Sequence, residues 1–140
     1  MILLDTDHLS VLIDLRDARH ALLSERLEAT TEPIGVAIVS IEEVLRGWLA
    51  FIHRLRDVHR QIPAYDRLGK LLDGFSHLEV MPFDSPSADK FSELRRRRIR
   101  IGTMDLKIAS IALVNDALIV MANTQDFGRA PELRYENWLA

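Results

Sequence analysis

The sequence predicts an α/β fold in which a mainly parallel central sheet lies between two layers of helices. Short apolar runs alternate with segments of helical periodicity along the chain. Strands joined by helical crossovers pair in parallel, and such sheets are covered by helices on both faces. Acidic residues follow several of the apolar runs, at the sheet edge where α/β proteins bind their ligands.

Length and composition favour one domain over residues 1–140. The chain has 140 residues, enough for a self-sufficient core. Its formal net charge is -3, so a nucleic-acid partner would be bound locally or through cations. There is no cysteine, which excludes disulfides, thiolate zinc sites and cysteine nucleophiles. Asp5 and Asp7 argue against a signal peptide and no apolar run could span a membrane, so we expect a cytoplasmic protein.

The first elements are two buried strands and two helices. Ile2–Leu4 and Ile34–Val39 are apolar runs of strand length. Asp7 is predicted to cap a helix that begins at His8, because acidic and hydroxyl side chains accept hydrogen bonds from the free amides of a helix start. A second helix is predicted over residues 18–29.

Two further helices are predicted before the middle of the chain. Ser40 is predicted to cap the first, with Glu43 three residues later as in a capping box. Gly47 in that helix costs on the order of 1 kcal/mol relative to Ala, which suggests that another group approaches closely there. Pro63 is predicted to open the second, which would end before a turn at Asp73-Gly74.

The second half predicts two more strands and two more helices. Leu78–Phe83 and Leu118–Met121 are strand candidates. Asp84–Ser87 is predicted to begin one helix, and Gly102-Thr103 to begin another that ends near Val114. No element is predicted for the tail.

Acidic residues at four strand–helix junctions predict a divalent-metal site. Asp5 ends the first strand, Glu43 follows the second, Asp105 lies in the first turn of an apolar-faced helix, and Asp126 follows Leu118–Met121. Each acid alone is equally well explained as a structural residue such as a helix cap. Together they favour a shared cation, because clustered carboxylates repel unless a cation neutralises them, and magnesium or manganese prefers oxygen ligands.

Glu42 has a simpler explanation than its neighbour Glu43. It lies four residues before Arg46, which is the spacing of a surface ion pair on a helix.

Four segments carry a resemblance to PIN-domain proteins, and within them to VapC-like toxins. They span almost the whole chain in the family's order. The segments are Leu3-Leu4-Asp5-Thr6-Asp7, Ser40-Ile41-Glu42-Glu43-Val44-Leu45-Arg46-Gly47, Ile101-Gly102-Thr103-Met104-Asp105-Leu106-Lys107-Ile108-Ala109 and Asn123-Thr124-Gln125-Asp126-Phe127. The resemblance selects Glu43 over Glu42, because the family has an acid four residues before a glycine.

The resemblance implies a magnesium- or manganese-dependent ribonuclease that is the toxin of a toxin–antitoxin pair. It implies an RNA substrate, a small antitoxin that lies across the acidic cleft, and a homodimer. Asp5, Glu43, Asp105 and Asp126 are implied as the catalytic and metal-binding acids, and Asp5→Ala or Asp105→Asn is expected to remove activity without unfolding the chain.

Two supporting residues and one departure complete the resemblance. Thr6 and Asn123 are implied as supporting residues of the acidic site. The chain departs from the family at Met121, where a hydroxyl residue is common, so a hydroxyl contact there is lost or comes from another residue.

Other classes of protein remain open from the sequence. A haloacid-dehalogenase-like phosphatase fits Asp5-Thr6-Asp7 but needs a lysine before a later acid pair, whereas Lys107 follows Asp105. A phospho-receiver domain could use Asp84 but needs a lysine after Leu118–Met121. An inactive PIN-like scaffold is a third alternative.

Basic, imidazole and aromatic side chains are given mainly structural interpretations. We expect most of the run Arg95–Arg98 with Arg100 to be a solvated helix end, with one or two arginines near RNA. The five histidines show no zinc-ligand spacing, and surface roles are expected for the pair His53 and His59. Trp48, Phe51 and Leu55 are expected in the core or a dimer interface.

Overall fold

The computed structural model describes all residues from 1 to 140 and contains five strands and seven helices. In chain order these are β1 (Ile2–Leu4), α1 (Thr6–Ile13), α2 (His20–Ala29), β2 (Ile34–Ala37), α3 (Ile38–Arg54), α4 (Val58–Phe75), β3 (Glu79–Met81), α5 (Ser85–Arg96), α6 (Thr103–Val114), β4 (Leu118–Val120), α7 (Thr124–Phe127) and β5 (Tyr135–Glu136).

The strands form one sheet in which every neighbouring pair is parallel. Their order is β3-β2-β1-β4-β5. The chain therefore adds β2 and β3 on one side of β1, and then adds β4 and β5 on the other side. This confirms the predicted parallel sheet. The direction of winding reverses between β1 and β4, and at such a point the loops after the two strands separate and leave a crevice.

Helices cover both faces of the sheet, as predicted. Leu3 and Ile119 point to one face, where they pack with Ile108 and Ile111 of α6. On the other face Ile2, Leu4 and Val120 pack with residues of α1 and α2, and Val36 packs with residues of α1, α3 and α4. The alternation along each strand therefore sends neighbouring residues into two separate cores.

Two predicted helix caps are wrong. Helix α1 is capped by Asp5 rather than Asp7, since the Asp5 carboxylate accepts a hydrogen bond from the His8 amide at 2.8 Å. Helix α3 begins at Ile38, directly after β2, so Ser40 lies inside its first turn. The apolar run Ile34–Val39 is divided between β2 and α3, and Val39 packs in the core from the helix. An apolar run alone does not show whether its residues are buried in a strand or in a helix.

The helix predicted to start at Pro63 begins earlier and ends later. Helix α4 starts at Val58, after Asp57 caps it through the His59 amide, and Pro63 lies inside it. Asp73-Gly74 is part of its last turn rather than a turn between elements, because the helix continues until Phe75 enters the core.

The second half of the chain follows the prediction except at its end. Helices α5 and α6 and strands β3 and β4 lie within the predicted segments. The short helix α7 lies where a loop was predicted after Leu118–Met121. The edge strand β5 was not predicted either, because its two residues are exposed and form no apolar run. None of the helices combines the length and the apolar character that crossing a membrane would require.

Candidate active site

Asp5 lies at the carboxyl end of β1, beside the crevice between β1 and β4, and its carboxylate is fixed by three donors. Its Oδ1 accepts from the amide of His8 and from the His8 ring, both at 2.8 Å, and its Oδ2 accepts from the amide of Ala122 at 3.1 Å. The Ala122 contact crosses the crevice from β1 to the loop after β4. Asp5 is only 5 % exposed, so three donors compensate the cost of burying its charge.

Glu43 reaches the same edge from the second turn of α3. Its Oε1 accepts a hydrogen bond of 2.6 Å from the hydroxyl of Thr6, the residue that follows Asp5. The predicted supporting residue Thr6 therefore ties the start of α1 to α3. Glu42 points away and pairs with Arg46, as expected for a surface ion pair.

Asp105 lies in the first turn of α6, which runs back against the strands, so its N-terminus also lies at the carboxyl edge of the sheet. Partial burial raises the pKa of Asp105 to about 6, with further contributions from the charges of Glu43, Asp5 and Asp126. No side chain donates a hydrogen bond to it. The four predicted acids therefore share one electrostatic environment.

Asp126 is held at the rim of the site by the second supporting residue. It lies in the short helix α7 after β4, and the side-chain amide of Asn123 donates to its Oδ2 at 2.8 Å. Met121, where the resembling family often has a hydroxyl, is fully buried in the core. The backbone amide of the next residue, Ala122, makes the contact to Asp5 instead.

Two residues of the site were not assigned to it from the sequence. His8 was given no role in the site, but its side chain is fully buried against Asp5. Its position three residues after an acidic helix cap could have indicated this contact. Asp7 adds a fifth carboxyl to the edge, where partial burial and the charge of Asp5 raise its pKa.

The donor chemistry of the cleft fits a hard divalent cation. Every candidate ligand is a carboxylate oxygen, and the hydrogen bonds described above leave oxygen lone pairs open on Asp5, Glu43, Asp105 and Asp126. No three His, Asp or Glu side chains are close enough to form a finished cage. Carboxylates repel one another when no cation lies between them, which favours such separated positions.

Two arginines lie close in sequence to acids of the site, and one hydrogen bond joins their two segments. The Arg129 guanidinium donates to the Arg100 carbonyl at 3.0 Å, which joins the loop before α6 to the segment after α7. Asp105 lies five residues after Arg100, and Asp126 lies three before Arg129. The other arginines of the run, Arg95–Arg98, are exposed at the end of α5, as predicted for most of them.

Comparison with known proteins gives a family match over nearly the whole chain. The model of the family described as PIN domain matches residues 2–133. Ribonuclease VapC2 of Rickettsia felis is 37 % identical over 67 residues, which cover 45 % of this chain and 50 % of that protein. The sequence match thus spans half the length of this relative.

Two solved structures share the fold over the full chain. VapBC2 from Rickettsia felis, bound to a DNA fragment from its promoter, superposes with a TM-score of 0.74 and 26 % identity, covering 99 % of each chain. DNA-bound VapBC from Salmonella typhimurium also gives 0.74, with 25 % identity over 98 % of this chain and 97 % of that one.

Proposed function

Because the chain belongs to the PIN-domain family, we propose that it is a metal-dependent endoribonuclease and the toxin of a toxin–antitoxin pair. The observation that carries this proposal is that Asp105 is half-buried at the carboxyl edge of the sheet, where its burial and then the charges of Glu43, Asp5 and Asp126 raise its pKa to about 6. Its relatives support the assignment: one is named a ribonuclease, and the solved structures are toxin–antitoxin complexes.

The proposed reaction is hydrolysis of an RNA phosphodiester bond. A bound magnesium or manganese ion would lower the pKa of a water molecule and stabilise charge on the phosphate. Asp5, Glu43 and Asp105 would hold the ion, with Asp126 as a further ligand or as an acceptor that orients water. Thr6 and Asn123 would keep the carboxylates of Glu43 and Asp126 directed into the cleft.

Single-stranded or looped RNA suits this cleft better than duplex DNA. An acidic crevice gives a rigid duplex no electrostatic attraction, whereas a single strand can bring one phosphate to the cation while its bases splay outward. Arg100 and Arg129 are close in sequence to Asp105 and Asp126 and are joined to each other by a hydrogen bond, and they would hold the neighbouring phosphates.

A cleavage assay tests the reaction and its mechanism. Purified protein is incubated with structured and unstructured RNA, and with a matched RNA carrying 2′-deoxyribose at the cut site. We expect cleavage that needs magnesium or manganese, tolerates the 2′-deoxy substitution and leaves 5′-phosphate and 3′-hydroxyl ends. Asp105→Asn should remove most activity and Glu42→Gln should retain it. Cleavage that persists in chelator, or 2′,3′-cyclic phosphate products, would overturn the mechanism.

The rival enzyme and signalling classes are less well supported. Phospho-receiver domains have the strand order 2-1-3-4-5, whereas here β1 lies between β2 and β4. The lysine that a haloacid-dehalogenase-like phosphatase would need is not supplied by Lys107, whose ammonium group lies over the Phe83 ring. An inactive PIN-like scaffold would show no cleavage in the same assay.

We propose a small antitoxin as the protein partner, acting with this chain in the cytoplasm. The groove between α1, α3 and α4 has a volume of about 620 Å³ and is lined by apolar residues that include Trp48 and Leu71. Its charged lining is mainly basic, with Arg16, Arg67 and Lys70 beside the single acid Asp14. This combination fits an apolar segment flanked by acidic residues, while a basic side chain of the same partner could lie in the acidic cleft. Co-expression with the adjacent small reading frame and pulldown test this, and failure to co-purify would contradict it.

We also propose that the chain forms a homodimer through the apolar face of α3 between Ile38 and Leu49. Ile38 and Leu49 are 41 % and 47 % exposed, and with Ile41 and Leu45 they line an apolar depression of about 470 Å³. Exposed apolar surface of this kind on a small domain is typical of an interaction site.

A further inference from the structure

His8 is a buried residue that the reaction as proposed does not use. Its side chain has no solvent exposure, and both ring nitrogens make hydrogen bonds. The Trp138 amide donates to Nε2 at 3.1 Å, and Nδ1 lies 2.8 Å from Asp5 Oδ1. A backbone amide can only donate, so Nε2 accepts and the ring proton lies on Nδ1. The neutral ring therefore donates to Asp5.

This contact makes Asp5 the most rigidly held acid of the site. Two donors from His8 occupy Oδ1, and the Ala122 amide occupies one side of Oδ2. One lone pair of Oδ2 therefore remains for a ligand. Glu43 and Asp126 are each held by one donor, and Asp105 by none.

The chain terminus determines which nitrogen of His8 carries the proton. The Trp138 side chain packs against Leu4 and Val120, its indole N–H donates to Glu136 at 2.7 Å, and Arg26 lies over the ring at 4.7 Å. These contacts fix the Trp138 backbone, whose amide in turn fixes the tautomer of His8.

We propose that His8 is a positioning residue that, together with the Trp138 backbone, orients the Asp5 carboxylate toward a divalent cation. This inference rests on the proposed metal-dependent function. The physical reason is preorganisation: a carboxylate already held in its binding orientation loses less freedom when the cation arrives, and partners of metal ligands typically contribute 10- to 100-fold in affinity.

Two variants separate positioning from structural anchoring. In His8→Asn the carboxamide nitrogen can take the place of Nδ1, so the donor to Asp5 is retained and the acceptor for Trp138 is lost. In His8→Gln the longer side chain can reach the place of Nε2, so the Trp138 contact is retained and the donor to Asp5 is lost. His20→Asn is the matched control, since His20 bonds the Val11 carbonyl and lies outside the acidic site.

The measurement is the Mn²⁺ dissociation constant by calorimetry with Mn²⁺ alone, with thermal melts in chelator run in parallel. We expect His8→Gln to weaken Mn²⁺ binding by about 10-fold or more, and His8→Asn and His20→Asn to stay within about 3-fold of wild type. Equal weakening in His8→Asn and His8→Gln, or weakening that follows the loss of Tm, would overturn the positioning role. Wild-type protein that binds no Mn²⁺ would instead remove the proposed metal site itself.

A spectroscopic readout that does not depend on the metal checks the tautomer. The ¹⁵N chemical shifts of the His8 ring should show a protonated Nδ1 and an unprotonated Nε2 in wild type. A ring protonated at Nε2 would overturn the inference, because it could not donate to Asp5.

Discussion

Asp105→Asn should make the metal-free protein more stable at neutral pH while it removes the metal site. The pKa of Asp105 rises from 3.8 to about 6 in the folded chain, because burial and the neighbouring acids disfavour its charge. At about 1.4 kcal/mol per pKa unit this is a gross cost of about 3 kcal/mol. Solvent screening of a partly exposed group reduces it to about 1–2 kcal/mol. Asparagine has the same size and carries no charge, so it relieves this cost.

The pH dependence follows from the direction of the same pKa change. A carboxyl with a raised folded-state pKa binds its proton more tightly in the folded than in the unfolded chain, so protonation favours folding. The destabilisation by Asp105 is therefore fully present above about pH 6 and disappears as the pH falls to about 4. The advantage of Asp105→Asn over wild type should shrink across the same range.

Urea and thermal melts in chelator measure this effect. At pH 7.5 we expect Asp105→Asn to gain about 1–2 kcal/mol, or about 3–8 °C in Tm for a domain of this size. At pH 4.5 most of the gain should be lost. Glu42→Gln is the control, since its carboxylate is exposed and paired with Arg46, and its melting behaviour should change little.

Magnesium should reverse the order of stabilities. A cation bound only by the folded state adds about 2.7 kcal/mol at about 100 times its dissociation constant, which exceeds the advantage of about 1–2 kcal/mol expected for Asp105→Asn. Wild type and Glu42→Gln should therefore gain Tm in saturating magnesium, and Asp105→Asn should not. An Asp105→Asn protein that is less stable than wild type in chelator at pH 7.5 would refute the reasoning, since it would mean that the Asp105 charge contributes favourably to the metal-free fold.

Three further substitutions test other parts of the structure. Gly47→Ala should stabilise the protein by about 1 kcal/mol in urea melts, because a Cβ there meets no atom within 4 Å; a loss of stability would contradict the open surface at this position. Pro63→Ala should also stabilise, by about 1 kcal/mol or more, because Pro63 is exposed inside α4 and supplies no amide to the helix; an unchanged unfolding midpoint would show that the helix already accommodates it. Leu49→Glu should convert a dimer to a monomer in light scattering with the Tm of the monomer unchanged, and a variant that stays dimeric would exclude the α3 surface.

The sequence predicted the sheet and the acidic cleft because both depend on local patterns. Short apolar runs such as Ile2–Leu4 favour buried strands when helical segments follow them, and the crossover rule then fixes their direction. Asp5, Asp105 and Asp126 were identified because each follows a strand or lies in the first turn of a helix, and parallel strands place such positions at one edge. Glu43 was selected over Glu42 by the resemblance to the family. The Gly47 inference failed for the converse reason: a glycine's surroundings are not local, and this one faces open space.

What the sequence could not predict depends on contacts between distant segments. The Ser40 cap fits a local rule, but α3 begins three residues earlier than that cap predicts, because Val39 packs in the core from the helix. The Ser40 hydroxyl is then buried without a partner. Strand β5 has no apolar pattern, yet backbone hydrogen bonds to β4 place it, and Trp138 behind it then meets His8 across 130 residues. No local sequence pattern predicts the contact between Trp138 and His8.

Asp5 is consequently a structural residue as well as a candidate ligand, and substituting it should have effects that Asp105 lacks. Asp5→Ala removes the cap of α1, which costs about 1 kcal/mol, and leaves the buried His8 ring and the Ala122 amide without an acceptor. We expect a loss of about 2–4 kcal/mol in urea melts in chelator, with the chain still folded. A loss below about 0.5 kcal/mol would show that these three donors find other partners. Asp5→Ala is expected to lower the free energy of unfolding and Asp105→Asn to raise it. A loss of activity in Asp105→Asn can therefore be attributed to lost chemistry, whereas a loss in Asp5→Ala could also come from lost stability.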